Sequence, residues 1–130
     1  MKTRTVRQSI WLPAKPSEIF DAILDEKKHS KFTGAQAKIL PKVGGKFSVW
    51  GRDISGTTEK IEKNKKIVQS WRSSDWEEGH FSEVQFEFIP EKDGTKLVLI
   101  HKKVPSEHFK DISDGWKQFY WKPLKEFFKK

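Results

Sequence analysis

Histidine offers this chain its widest choice of chemistry, because an imidazole can act as a general base or bind a metal ion. The sequence contains four histidines, which are His29, His80, His101 and His108. Their positions lack the i, i+4 or His-x-His spacing that brings two imidazoles to one metal. We therefore expect no structural or catalytic metal and no cofactor.

The carboxylates of Asp75, Glu77 and Glu78 lie together before a strand. Paired carboxylates can supply a general acid and a general base when their surroundings separate their pKa values. An exposed loop does not separate them, and a loop is the simpler interpretation of this segment. Nucleophilic catalysis is also unsupported, because Ser70 and Ser82 lack a placed base and no Gly-x-Ser-x-Gly motif occurs. We therefore predict no catalytic residue and no enzymatic activity.

His101 is also a candidate for a ligand cavity, because it shares strand parity with Leu97 and Leu99 and would face the interior with them. In the functional interpretation, His101 and four aromatic residues border a cavity for an apolar ring or acyl chain. These cavity-lining candidates are Trp71, Phe86, His101, Trp116 and Tyr120. In the alternative interpretation the aromatic residues only pack in the core, and His101 is a core residue bonded to a neighbour.

An alternating sheet and two amphipathic helices must position these side chains. Thr3 to Leu12 alternates as a half-buried strand, and Pro16 begins a helix that runs to about Asp25. The segment from His29 to Gly34 is expected to be irregular. Further strands are predicted at 37–40, 46–50, 53–61, 67–73, 81–89 and 95–103.

Turn residues separate these strands. Gly44 and Gly45 are expected to supply the positive φ of a tight hairpin, and Asp93 with Gly94 signals another. A long amphipathic helix is predicted from Ser106 to about Phe128, lying across the concave face of the sheet. We expect a kink at 119–123, because Pro123 removes a backbone donor there.

The length and composition indicate one globular domain over residues 1–130. Apolar residues make up 35% of the chain, and ten Phe, six Trp and one Tyr provide large side chains for a core. Cysteine is absent, which excludes disulfides and thiolate chemistry. The chain shows neither a signal-peptide pattern nor an apolar stretch of about 18 residues that would span a membrane. A cytoplasmic location is the expectation.

The formal net charge of +8 favours acidic partners, which could be nucleic acid, anionic lipid or an acidic protein surface. Basic residues cluster modestly at 60–66 and in the tail at 122–130. The aromatic residues fall mainly on predicted buried faces, and no nucleic-acid-binding motif is present. We therefore do not expect a nucleic-acid partner.

Short motifs along the chain carry a family resemblance. They include Ile10-x-Leu12-Pro13-Ala14, Phe32-Thr33-Gly34-Ala35, Gly44-Gly45-x-Phe47-Ser48, Ile67-Val68-Gln69-Ser70-Trp71-Arg72, Gly94-Thr95-x-Leu97-x-Leu99-x-His101 and Gly115-Trp116. Together with the order of the elements, they resemble the C-terminal-domain family of the activator of heat-shock protein 90 ATPase, within the START-like superfamily. The resemblance implies an α+β helix-grip fold, in which a curved antiparallel sheet of about six or seven strands wraps around a long C-terminal helix.

The resemblance also implies a function, which is co-chaperone-like association with a heat-shock protein 90 type ATPase and stimulation of it. On this analogy the contact surface includes Phe32, Thr33 and Gly34. The basic surface, which includes Lys122 and Lys125, is expected to steer the protein onto an acidic chaperone face. Related helix-grip proteins hold hydrophobic molecules between the sheet and the final helix. The alternative function is therefore binding of a lipophilic small molecule in that cavity.

Overall fold

An antiparallel sheet of seven strands frames the protein in the computed structural model, which describes residues 2–129. The strands are β1 (Thr3–Leu12), β2 (Lys38–Ile39), β3 (Lys46–Val49), β4 (Ile54–Glu62), β5 (Lys66–Ser73), β6 (Ser82–Glu91) and β7 (Gly94–Pro105). Their order across the sheet is β1-β7-β6-β5-β4-β3-β2. The predicted α+β helix-grip fold is confirmed. The predicted bounds of β1 are the observed ones, and those of the other strands differ by at most two residues at either end.

The helices are α1 (Pro16–Leu24), α2 (Glu26–Thr33), α3 (Phe109–Trp116) and α4 (Lys122–Phe127). A 3-10 turn (Ser106–His108) precedes α3, and a π-helical turn (Lys117–Trp121) joins α3 to α4. The 3-10 turn, α3, the π-helical turn and α4 follow one another without a break and form the long C-terminal helix. Its inner residues Trp116, Tyr120 and Leu124 are buried. No helix within residues 2–129 is long and apolar enough to cross a membrane.

Helix α2 corrects the expectation that the segment from His29 to Gly34 is irregular. Asp25 caps this helix, because its carboxylate accepts hydrogen bonds from the backbone N–H groups of Lys27 and Lys28 at 2.8 and 3.3 Å. Gly34 ends the helix in the left-handed conformation, with a φ of 75°. Only His29 and Phe32 of its eight residues are buried. The apolar pattern is therefore too sparse to indicate a helix.

The glycine pair before β3 behaves differently from the prediction. Gly44 has the expected positive φ of 82°, but Gly45 does not. Gly45 is close to backbone instead, because a Cβ atom there would clash with the carbonyl oxygen of Leu40. Gly44 therefore supplies the positive φ of the turn, and Gly45 allows the backbone of Leu40 to approach closely.

The C-terminal helix departs from α geometry where the kink was expected. The backbone N–H of Lys122 bonds to the carbonyl of Lys117, five residues earlier. Pro123 has no N–H to donate to the carbonyl of Phe119, which removes one α-helical bond at this place. The π turn puts Trp121 directly over Trp116, with ring centroids 5.5 Å apart and planes 22° apart. Both indoles are buried as a result.

Candidate functional site

A cleft of about 470 Å³ opens between the C-terminal helix and the sheet edge where β3 ends, β4 begins and β5 ends. Ile54 at the start of β4 pairs with Val49 on one side and Ser73 on the other, which brings these three strand ends together. The lining residues are Trp50, Asp53, Ile54, Trp71, Ser73, Asp75, Asp111, Ile112, Gly115, Trp116, Phe119 and Tyr120.

Aromatic rings form the floor and one wall of the cleft. Trp71 stacks on Trp116 with centroids 5.8 Å apart, and Trp116 contacts Tyr120 at 4.7 Å. These three side chains are buried. Trp50 meets Phe119 at 5.3 Å near the mouth, where Trp50 is half-buried and Phe119 is 46% exposed.

The backbone of Trp50 has a φ of 55°, in the left-handed region that bulky residues rarely adopt. A short turn holds it there, because Gly51 donates to the carbonyl of Gln36 at 2.9 Å and Asp53 donates to the carbonyl of Trp50 at 3.2 Å. The turn directs the indole towards the C-terminal helix, where its ring centroid is 6.3 Å from that of Tyr120.

Three carboxylates surround the opening, and each comes from a different segment. Asp53 precedes β4, Asp75 follows β5, and Asp111 lies on α3. All three are exposed. Asp53 accepts a hydrogen bond from the hydroxyl of Ser74 at 2.6 Å. The mouth of this cleft is therefore acidic, although the chain as a whole carries a net charge of +8.

His101 lies behind the cleft and is fully buried. Its Nδ1 accepts a hydrogen bond from the Trp116 indole N–H at 3.0 Å. Because tryptophan can only donate, Nδ1 is unprotonated and the proton lies on Nε2. Nε2 donates to the hydroxyl of Ser82 at 2.6 Å, which in turn donates to the carbonyl of Trp71 at 3.1 Å. Burial lowers the pKa of His101 to about 3, so the imidazole is neutral at physiological pH.

His29 forms a second buried contact with the C-terminal helix. Its Nδ1 donates to the carbonyl of Ile23 at 3.0 Å, and its Nε2 accepts from the Tyr120 hydroxyl at 3.2 Å. Burial lowers the pKa of His29 to about 4, against the opposing effect of the Ile23 bond, and burial raises the pKa of Tyr120. Both groups are therefore neutral at physiological pH, and both ring nitrogens of His29 are occupied by partners within the protein.

The candidate cavity residues from the sequence divide into two groups. Trp71, Trp116 and Tyr120 line the cleft, while Phe86 and His101 lie outside it. Phe86 instead borders an enclosed void of about 10 Å³, which is room for at most one water molecule. The interior between sheet and helix is therefore filled by rings, and the open space lies at its end.

The cleft also contains residues that the sequence interpretation did not select. Ile112 and Phe119 share the i, i+4, i+7, i+8 spacing of Trp116 and Tyr120 on the helix, a signal that was available in the sequence. Asp75 was considered in the sequence only together with Glu77 and Glu78. Its position beside Asp53 and Asp111 has no sequence signal, because the three meet only after the strands and the helix have packed. Within residues 2–129 no group of three or more His, Asp or Glu could hold a metal ion.

The candidate partner residues occupy the other end of the C-terminal helix. Phe32 is buried, with its ring 6.2 Å from that of Phe127 and 6.0 Å from that of Tyr120. Thr33 is half-buried, and its hydroxyl donates to the carbonyl of His29 at 2.9 Å. Gly34 is exposed. The surface of this segment is therefore Thr33 and Gly34, with Phe32 beneath them.

Lys122 and Lys125 are exposed and line a groove of about 590 Å³ between α4 and β1, together with Lys117. Gln8 of β1 holds the helix at this groove. Its Nε2 donates to the carbonyl and the hydroxyl of Ser113, both at 3.0 Å, and its Oε1 accepts from the Trp121 indole at 2.6 Å. Glu126 also lines the groove, so its three lysines leave a net positive charge beside the edge strand β1.

Comparison with known proteins gives a consistent result. A family model described as Activator of Hsp90 ATPase homolog 1-like protein matches residues 13–129. The activator of 90 kDa heat shock protein ATPase homolog of Dictyostelium discoideum is 28% identical over 117 residues, which are 89% of this chain and 30% of that protein. Homolog 1 of Homo sapiens is 28% identical over 113 residues, which are 87% of this chain and 33% of that protein. The chain spans about a third of the length of these curated relatives.

Among solved structures, the crystal structure of an HSP90 activator from Plasmodium falciparum superimposes with a TM-score of 0.88 at 29% sequence identity. The match covers 95% of this chain and 94% of that one. The similarity therefore extends over nearly the whole of both structures.

Proposed function

The chain belongs to the Activator of Hsp90 ATPase homolog 1-like family, and from this membership we propose that it binds a heat-shock protein 90 type ATPase and stimulates it. The family match over residues 13–129 carries the proposal. The HSP90 activator from Plasmodium falciparum supports it, because that structure is similar over 94% of its length. Residues 1–130 would act as one cytoplasmic domain.

The proposed role is a binding role that supplies no catalytic group. The two histidines nearest the cleft, His29 and His101, have both ring nitrogens occupied by partners within the protein. Stimulation would therefore come from preferential binding to the chaperone conformation that hydrolyses ATP, which shifts the population towards it.

The basic groove beside β1 is the proposed chaperone contact. Lys117, Lys122 and Lys125 are exposed along it, and such a cluster accelerates association with an acidic surface. Thr33 and Gly34 would extend the contact, because α2 packs against α4 through Phe32 and Phe127. Phe32 would support this surface from beneath it.

An amide NMR titration of the labelled protein with a heat-shock protein 90 homologue from the same organism tests the proposal. We expect shifts confined to α4, the adjacent part of β1 and the end of α2, and we expect them to weaken at high salt. An ATP hydrolysis assay of the chaperone with and without this protein tests stimulation. A spectrum that does not change at either salt concentration would contradict chaperone binding.

The second candidate function is binding of a lipophilic small molecule, and the cleft is the observation that favours it. Its volume of about 470 Å³ and its aromatic walls fit a small ligand. Phe119→Ala is a suitable test, because Phe119 is 46% exposed and its loss should leave the core intact. Trp71 and Trp116 are buried in the core, so truncating them would also test folding. Native mass spectrometry of the purified protein would detect a copurified ligand.

A further inference from the structure

We propose that the cleft binds a small organic cation with an apolar body, such as an aryl or alkyl ammonium ion. The proposal rests on the second candidate function, since it uses the same space, and it adds the charge of the ligand. The charge of the rim, the aromatic walls and the closed interior each support it.

The rim carries negative charge that no salt bridge within residues 2–129 neutralises. Lys110 is next to Asp111 in sequence and attracts it, but its salt bridge is with Asp114 at 3.0 Å. Asp53, Asp75 and Asp111 surround one opening, and none of them forms a salt bridge with a residue of the described chain, 2–129. The sequence has 26 Lys and Arg against 18 Asp and Glu, so positive side chains are plentiful elsewhere. The local field at the mouth therefore favours a cation from solution.

The neighbouring arginines Arg52 and Arg72 do not place a positive charge within the cleft. Arg52 precedes Asp53 in sequence but does not line the opening. Arg72 donates to the carbonyl oxygens of Trp76 at 3.1 Å and Glu77 at 2.6 Å, and these bonds fix its guanidinium on the adjacent loop. The carboxylates are thus left facing solvent and the cleft.

Aromatic rings complete a site for a cation with an apolar body. Ring faces attract cations through their quadrupole, and tryptophan does so most strongly. Trp50 and Phe119 meet at 66° at the mouth, beside the buried rings of Trp71 and Tyr120. The left-handed backbone of Trp50 keeps its indole at this position, and such outliers cluster at ligand sites.

The closed interior limits how deep a ligand can enter. The void behind the cleft, next to Phe86, is only about 10 Å³, so a long acyl chain has no room between sheet and helix. A ligand must remain near the mouth, where the aspartates are. Its charge therefore affects its affinity directly.

Titration with phenyltrimethylammonium, followed by the indole N–H signals in NMR spectra, tests the proposal. We expect shifts at Trp50, Trp71 and Trp116, while Trp11, which lies outside the cleft, serves as an internal control. tert-Butylbenzene has the same shape without the charge, and benzenesulfonate has the opposite charge. Benzenesulfonate should bind most weakly.

Single substitutions separate the charge from the apolar contact. Asp75→Asn and Asp111→Asn should each weaken phenyltrimethylammonium binding by roughly threefold to tenfold and leave tert-butylbenzene binding unchanged. Glu91→Gln is the matched control, because it removes the same charge away from the cleft. Glu91 is at the far end of β6, nine residues from Ser82, and Ser82 pairs with the cleft residue Trp71.

Two results would overturn the cation proposal. One is the absence of cleft shifts with phenyltrimethylammonium, and the other is an equal response of the charged and neutral compounds to the aspartate substitutions. If only tert-butylbenzene binds, the cation proposal fails while the lipophilic-ligand function stands. The two proposals can therefore fail separately.

Discussion

Trp116 and Tyr120 lie four residues apart on the C-terminal helix, and each is hydrogen-bonded to a buried histidine from a different part of the fold. Trp116 bonds His101 of β7, and Tyr120 bonds His29 of α2. The same two rings line the cleft. The bonds that hold the helix on the sheet therefore also set the shape of the candidate ligand site.

Trp116→Phe should destabilise the protein by about 1–3 kcal/mol, because it leaves Nδ1 of buried His101 without a donor. Urea unfolding at neutral pH measures the change. Trp11→Phe is the control, since Trp11 is 46% exposed and its replacement should change stability little. A Trp116→Phe protein as stable as the Trp11→Phe protein would show that the His101 bond contributes nothing.

Stability should fall between pH 7 and pH 5. The pKa values of His29 and His101 are lowered to about 4 and about 3 in the folded protein, while the unfolded chain has ordinary values near 6.5. Below pH 6.5 the unfolded state takes up protons that the folded state does not. His29 and His101 should therefore each lower the free energy of unfolding by about 2 kcal/mol at pH 5 relative to pH 7.

Urea unfolding at the two pH values checks this expectation, and His29→Gln should remove about half of the difference, because glutamine does not titrate in this range. An unfolding free energy that does not change between pH 7 and pH 5 would mean that neither imidazole is kept neutral by the fold.

Much of the fold could be predicted from local patterns. Alternation identified the strands, and the interior position of His101 followed from its parity with Leu97 and Leu99, since side chains in a strand alternate between faces. Helix α2 was missed because its stability comes from the Asp25 cap and tertiary packing of His29 and Phe32 rather than from a full apolar stripe.

The cleft could be predicted only in part. Trp71, Trp116 and Tyr120 were identifiable as inward-facing aromatics, but whether rings leave a cavity depends on how they stack. Phe86 packs edge-on against Trp116 at 5.8 Å and helps to fill the interior. The acidic rim arises from three segments far apart in sequence, and its existence depends on the register that brings Ile54 opposite Ser73.

Gln8→Leu should loosen the C-terminal helix from β1. The substitution leaves the Trp121 indole and the Ser113 hydroxyl without their partner, which should cost about 1–3 kcal/mol. Gln85→Leu is the matched control, because the Gln85 amide donates to the carboxylate of Glu87 on the same strand, β6, and this bond does not involve the C-terminal helix. Hydrogen exchange of α3 and α4 amides should accelerate in the first variant. Equal exchange in both variants would contradict the proposed anchoring role of Gln8.

Two glycine substitutions should change the stability of the protein in opposite directions. A Cβ at Gly56 would clash with the carbonyl oxygen of Ser70, and the backbone must shift, so Gly56→Ala should destabilise by roughly 1–3 kcal/mol or more. A Cβ at Gly115 would lie in ordinary contact, 3.7 Å from the Phe119 ring. Because Gly115 is inside α3, Gly115→Ala should stabilise by roughly 0.5–1 kcal/mol. Thermal unfolding of both proteins gives the order, and the reverse order would refute the packing at β4.

Reversing the charge of the groove should weaken chaperone binding more than the same change elsewhere. Lys122→Glu combined with Lys125→Glu places negative charge beside β1, where the proposed acidic surface would approach. We expect association with the heat-shock protein 90 homologue to slow by roughly tenfold or more at low salt, and the difference to shrink at high salt as the charges are screened.

The control for this reversal must change the net charge equally at a distant site. Lys63→Glu combined with Lys65→Glu does so, because both lysines are exposed on the turn between β4 and β5, and β5 is separated from β1 by two strands of the sheet. Surface plasmon resonance at two salt concentrations measures both proteins. If the two variants lose affinity equally, the net charge of +8 drives association and the groove is not the contact. A larger loss in the Lys122 and Lys125 variant places the contact on α4, since only the position of the charge differs between the two proteins.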